Sequence, residues 1–88
     1  MDKIIEAMEN EYQKIYENRV RIEELKKNKV ELKPQLWEEA GGTVDQKKDY
    51  IRARTSDYDM DIRLLEAKIE HSYNLIKVLD YKMVYCDE

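Results

Sequence analysis

The sequence predicts an all-α protein: a long antiparallel helical hairpin with coiled-coil packing that assembles into a dimeric four-helix bundle. Three observations carry that reading. Apolar residues recur at a seven-residue step in both halves of the chain, and a single paired-glycine interruption lies between the halves. The composition is 41% charged, with two Gly, one Pro and no Phe. Chains of this kind, rich in Glu, Lys, Ile and Leu, form long amphipathic helices. Charge alone would favour disorder, but aliphatic residues and seven Tyr at regular spacing mark surfaces that fold to be buried. The 88 residues make one domain, 1–88, near the lower end of what folds alone.

The first helix is expected over about 2–40. Met8, Ile15, Ile22 and Leu36 fall on one line, with Lys29 as its polar interruption. Ile4, Leu25 and Leu32 form the companion line, broken by Glu11 and Asn18. Tyr12, beside Glu11, is expected to fill part of that gap. The second helix is expected over about 44–86 and is cleaner. Ile62, Ile69, Ile76 and Met83 step by seven, as do Val44, Ile51, Tyr58, Leu65, Ser72, Leu79 and Cys86. Together they make an a/d seam.

Between the halves, Gly41-Gly42-Thr43 is the expected turn. Glycine accepts the left-handed conformation that ends helices, and Thr43 with Gln46 reads as a capping box opening the next one. So short a turn makes the helices antiparallel. Pro34 lacks an amide proton and clashes with the preceding turn, which predicts a kink or helix end near Lys33. A second break is a candidate at 55–56, where Ser56 could cap a new helix with Asp59 at its third position. The heptad passes through that point unshifted, which favours continuity.

A two-helix hairpin has only one seam, which is thin for independent stability. The last third of the chain carries more apolar groups than the seam uses: Leu64, Tyr73, Leu75, Val78, Tyr81 and Tyr85 lie on other faces of the second helix. Each large apolar side chain that becomes fully buried contributes roughly 1.5–3 kcal/mol, so this set is the expected interface of a homodimer or of a protein partner. Asn18 and Ser72 within the seams are candidate register-setting residues.

Charge is unevenly distributed. Residues 1–18 carry −3, 19–33 carry +3, 34–46 carry −3, 47–54 carry +3 and 57–88 carry −4. A hairpin turning at Gly41-Gly42 sets Lys33 near Ile51 and Lys29 near Thr55. Lys26, Lys27, Lys29 and Lys33 then merge with Lys47, Lys48, Arg52 and Arg54 into one turn-proximal basic patch, and the open end is acidic. Such a patch serves as ordinary solvated faces with pairs such as Glu23–Lys27, as a self-association surface, or as a contact for phosphate backbone or an acidic protein. Tyr50 alone is interleaved with these cations, so stacking on single-stranded bases is weakly supported.

No reaction chemistry is apparent. Asp57, Asp59 and Asp61 begin like a calcium loop, but Ile62 stands where Gly is needed and Lys68 where a bidentate Glu is needed. His71 lies outside the seam. Cys86 is a lone thiol, which excludes an intramolecular disulfide and suits a reduced, cytosolic setting. Neither a cofactor nor a metal is expected. Small helical-hairpin phosphatases of sporulation signalling carry Asp four residues after Ser, whereas Met60 follows Ser56 here. No apolar run approaches the ~18 residues needed to span a bilayer, and Met1-Asp-Lys-Ile-Ile-Glu does not read as a signal peptide, so no membrane role is expected.

From Gly41 to Met83 the chain resembles a group of short helical proteins encoded by temperate bacteriophages and prophages. The resemblance rests on Gly42-Thr43-Val44, Gln46-Lys47-Lys48, Ser56-Asp57-Tyr58 and Leu64-Leu65-Glu66-Ala67-Lys68. Such proteins occur among replication and recombination genes, near single-strand-binding proteins and recombinases. The resemblance implies an accessory protein in the cytoplasm of a bacterial host and carries over no site residues. Three functions follow: an adaptor that binds a protein of DNA replication or recombination, a direct nucleic-acid binder using the basic patch, or an inhibitor that blocks a host enzyme.

Overall fold

The computed structural model describes residues 2–85. It is a hairpin of two helices, α1 (Asp2–Glu39) and α2 (Val44–Tyr85), forming a rod of 67 × 17 × 12 Å. The predicted seam is the observed one. Ile15, Ile22, Leu25 and Leu36 of α1 and Ile62 and Ile76 of α2 are buried. At mid-rod, Ile22, Leu25 and Ile62 pack together with Tyr58, Leu65 and Ile69 against them. Heptad spacing explains this, because residues three and four apart share one helical face. Val44, the first residue of α2, is exposed despite its seam position. Cys86 lies outside the described residues.

Three polar residues of the seam have local solutions. Lys29 is half-buried and donates across the seam to Asp59 at 2.6 Å. Glu11 is itself buried and takes a hydrogen bond from Lys14 at 3.0 Å. Tyr12 does not fill the gap beside it but is 53% exposed, because one residue's advance turns the side chain well off the seam. Thr55 is buried and donates to the Ile51 carbonyl at 2.8 Å. No buried side-chain polar atom among the described residues lacks a partner.

Helix α1 does not end at Pro34, and α2 is continuous at 55–56, as the unshifted heptad favours. Helix α1 continues through Pro34 to Glu39. Pro34 is exposed, while Leu36 and Ala40 beyond it are buried against α2, so packing holds the final turn despite the lost amide. Helix α2 runs through 55–56, and the Ser56 hydroxyl donates backward to the Ala53 carbonyl at 2.9 Å instead of capping a new helix. The candidate Glu23–Lys27 pair is also not formed: Glu23 pairs with Lys26 at 3.9 Å and Lys27 with Glu31 at 4.0 Å.

The turn has the expected chemistry. The Thr43 amide donates to Gln46 Oε1 at 2.9 Å and the Gln46 amide to Thr43 Oγ1 at 3.3 Å, a complete capping box. Among the described residues only Gly42 uses left-handed backbone, at φ 95°, and a Cβ there would run into the Gln46 side-chain amide; Gly41 has open space around it. Thermal unfolding followed by circular dichroism should therefore separate the two glycines. Gly42→Ala lowers stability by more than ~1 kcal/mol, whereas Gly41→Ala is neutral or stabilises by up to ~1 kcal/mol.

Candidate functional site

The hairpin presents its side chains on three surfaces. The first is the basic region beside the turn. Lys29 and Lys33 of α1 line one groove with Lys48 and Arg52 of α2, alongside Ile51, Thr55 and Asp59. The hairpin thus joins the two basic stretches as the antiparallel turn requires. Much of the charge is already engaged. Lys29 meets Asp59 at 2.6 Å and Arg52 meets Asp49 at 3.1 Å. Among the described residues Lys33 and Lys48 have no ion-pair partner. The other four cations lie elsewhere: Lys47 sits 4.9 Å over the Trp37 ring, Arg54 sits 5.0 Å over Tyr50, Lys26 borders the groove beside Arg19, and Lys27 flanks the outer face of α1.

The second surface is the outer face of α2. Leu64, His71, Leu75, Val78 and Tyr85 follow one another at helical spacing, with Lys68 and Lys82 between them. Leu64 is 61% exposed and Tyr85 70%, and Val78 and Tyr81 are also exposed, while Leu75 is half-buried. Tyr81 stacks on Tyr85 with ring centroids 4.6 Å apart. Tyr73 does not belong to this stripe. It lies on the other side of the hairpin, where Arg19 donates to its hydroxyl and sits 5.6 Å over its ring, clasping α1 to α2.

The third surface lies on α1 and was not singled out from the sequence. Tyr16 (64% exposed) and Val20 form an apolar patch bordered by Arg19, Glu23, Glu24 and Lys27, with Tyr12 one turn away. The available signal is the spacing of four from Tyr12 to Tyr16 to Val20, off the seam positions. This patch shares Arg19 with the Tyr73 side of the rod, whereas Leu64, Lys68, His71 and Leu75 border the groove on the Lys14 and Asn18 side. The two apolar surfaces therefore face opposite ways.

Glu11 shows the electrostatics of the seam. The Lys14 ammonium holds its carboxyl below the ordinary value of 4.5, and the Ser72 hydroxyl and the charges of Lys14 and His71 reinforce this against partial desolvation. Among the described residues, no group of three or more His, Cys, Asp or Glu is placed to hold a metal ion, and no helix is long and apolar enough to cross a membrane. Compared with known protein families, curated proteins and solved structures, the chain matches none.

Because the Glu11 pKa is lower in the folded chain, its ionised form contributes stability that is fully present above pH 4.5 and is lost as pH falls through the folded value. Urea unfolding should show Glu11→Gln less stable than the parent at pH 7. At pH 3 the difference between the two should be smaller. A difference that stays constant between the two pH values would exclude this role for the carboxylate.

Proposed function

We propose that the protein acts by binding, as a non-enzymatic accessory protein of a temperate phage or prophage that holds a protein of DNA replication or recombination against its helical surface. The observation that carries this reading is the apolar patch of Tyr12, Tyr16 and Val20 on α1, exposed and edged by both signs of charge. Exposed apolar surface rimmed by charge is the anatomy of a protein-binding site, and tyrosine and arginine dominate the energetics of such sites. The resemblance of residues 41–83 to phage proteins supports the class of partner and a place in the cytoplasm of a bacterial host.

Direct nucleic-acid binding has one observation in its favour, the convergence of Lys29, Lys33, Lys48 and Arg52 on one groove. Two of those four charges face carboxylates within 3.1 Å. Phosphate binding depends on neutralising the nucleic acid with unpaired cations, so this groove is a weak counterion-release site.

Titration calorimetry against a host single-strand-binding protein and a recombinase tests the adaptor reading. One of them should bind, and Tyr16→Glu with Val20→Glu should weaken that binding about 30-fold, the effect of losing one interface hot spot. Lys33→Glu with Lys48→Glu should leave it unchanged. In parallel, fluorescence anisotropy with single- and double-stranded oligonucleotides should show no saturable binding near physiological salt. Tight, salt-sensitive binding lost in the Lys33/Lys48 variant would replace the adaptor by the nucleic-acid binder.

A further inference from the structure

We infer that the outer face of α2 is covered by α2 of a second copy, antiparallel and centred on His71, so that the working unit is a dimer of hairpins. This goes beyond the adaptor reading and uses a different surface. The argument is one of register. The stripe Leu64, Lys68, His71, Leu75, Val78, Lys82, Tyr85 repeats at alternating steps of four and three, the spacing of a second coiled-coil seam on the same helix. Such a seam needs an occupant whose own pattern matches it, and the stripe run in reverse does.

Laid antiparallel with His71 opposite His71, Leu64 falls against the partner's Val78, and Val78 against the partner's Leu64. On one flank Asp61 meets the partner's Lys82 and Lys82 the partner's Asp61, while the aliphatic stem of Lys68 covers the partner's Leu75. On the other flank Met60, exposed in the hairpin, meets the partner's Tyr81. Neither Asp61, Lys68 nor Lys82 has an ion-pair partner among the described residues, so these charges are available. Sliding by one heptad in one direction sets Lys68 against the partner's Lys68. Sliding in the other sets it against the partner's Lys82. Like charges directly opposed destabilise an interface, so both whole-heptad slips are disfavoured relative to the centred register. An in-register parallel pairing fails on the same ground, because every charge would then meet its own copy.

The arrangement places four helices side by side, with α1 outermost in each copy. Its Tyr12, Tyr16 and Val20 patch, facing away from the α2 stripe, stays open for a partner. At ~1.5 Å per residue the two turn-proximal grooves lie roughly 55 Å apart, toward opposite ends of the dimer.

Sedimentation equilibrium on the full chain should show a reversible dimer of twice 10.7 kDa at micromolar concentration. Leu64→Glu should leave a monomer with unchanged helical circular dichroism. Asp61→Lys and Lys82→Asp, each alone, should weaken dimerisation about tenfold, and the two together should restore it. In a Cys86→Ser background, oxidation of Asp61→Cys/Lys82→Cys should give a covalent dimer, and either cysteine alone should not. The two positions are ~30 Å apart along one helix, so no disulfide within a single chain competes. A wild-type chain that stays monomeric at high micromolar concentration overturns the proposal. So does a Leu64→Glu dimer, or a charge swap that fails to restore association. A monomer that still binds a replication protein through α1 would sink the dimer alone; a dimer that binds none would sink the adaptor alone.

Discussion

Two helices share one seam, and the rest of the molecule depends on how that seam is kept in register. Apolar heptads do not keep it by themselves, since a slip of one heptad sets Ile or Leu against Ile or Leu again. The polar residues within the seam remove that degeneracy. Glu11 lies against Ser72 near the open end, Lys29 reaches Asp59 at 2.6 Å in the middle, and the Gly42 turn closes the other end. A slip of one heptad would set the Glu11 carboxylate against Leu65 or Leu79, buried and without the Ser72 hydroxyl. An unpaired buried polar group costs more than a hydrogen bond returns, so the few polar contacts decide what the many apolar ones cannot.

The same constraint exposes everything else. Leu25 and Ile62 can each be buried only because they lie on the shared face; a residue a third of a turn away on either helix meets water. Any apolar residue outside the seam is then surface, and the hairpin has many. The placement of these residues is not random. They gather on one side of α1 and on the opposite side of α2, each framed by charge. A rod only two helices wide can in this way offer two independent faces whose patterns differ.

The parts of this structure that local physics determines were legible in the sequence. The seam positions, the antiparallel turn and the Thr43–Gln46 capping box depend on periodicity and on residues three apart. Pro34 does not end its helix: the propensity argument considers only the helix containing it, whereas burial of Leu36 and Ala40 against α2 holds that turn together. Tyr73 was grouped with Leu64 and Val78 by its position in the chain, but it faces Arg19 of the other helix. The convergence of Lys29, Lys33, Lys48 and Arg52 could be read from the turn, since pairing follows from where the chain reverses. The engagement of Lys29 by Asp59 could not. It depends on side-chain reach across the seam, to a resolution of one helical turn.

That engagement weighs against reading function from charge. A basic stretch in sequence becomes a binding site only to the extent that its charges remain unpaired after folding, and here Lys29, Arg52, Lys26 and Lys27 each find a carboxylate within 4.0 Å. Exposed pairs of this kind contribute little to stability and are screened by salt, yet they lower the local potential that a phosphate would feel. Tyr16, Leu64 and Tyr85 are instead 64%, 61% and 70% exposed, and much of their apolar area faces water. The unrealised free energy of this fold therefore resides in its apolar faces and not in its basic groove. Association through those faces would recover it: in the proposed dimer, α2 packs against its own copy, where the charge pattern is self-complementary, and α1 stays open for the proposed partner.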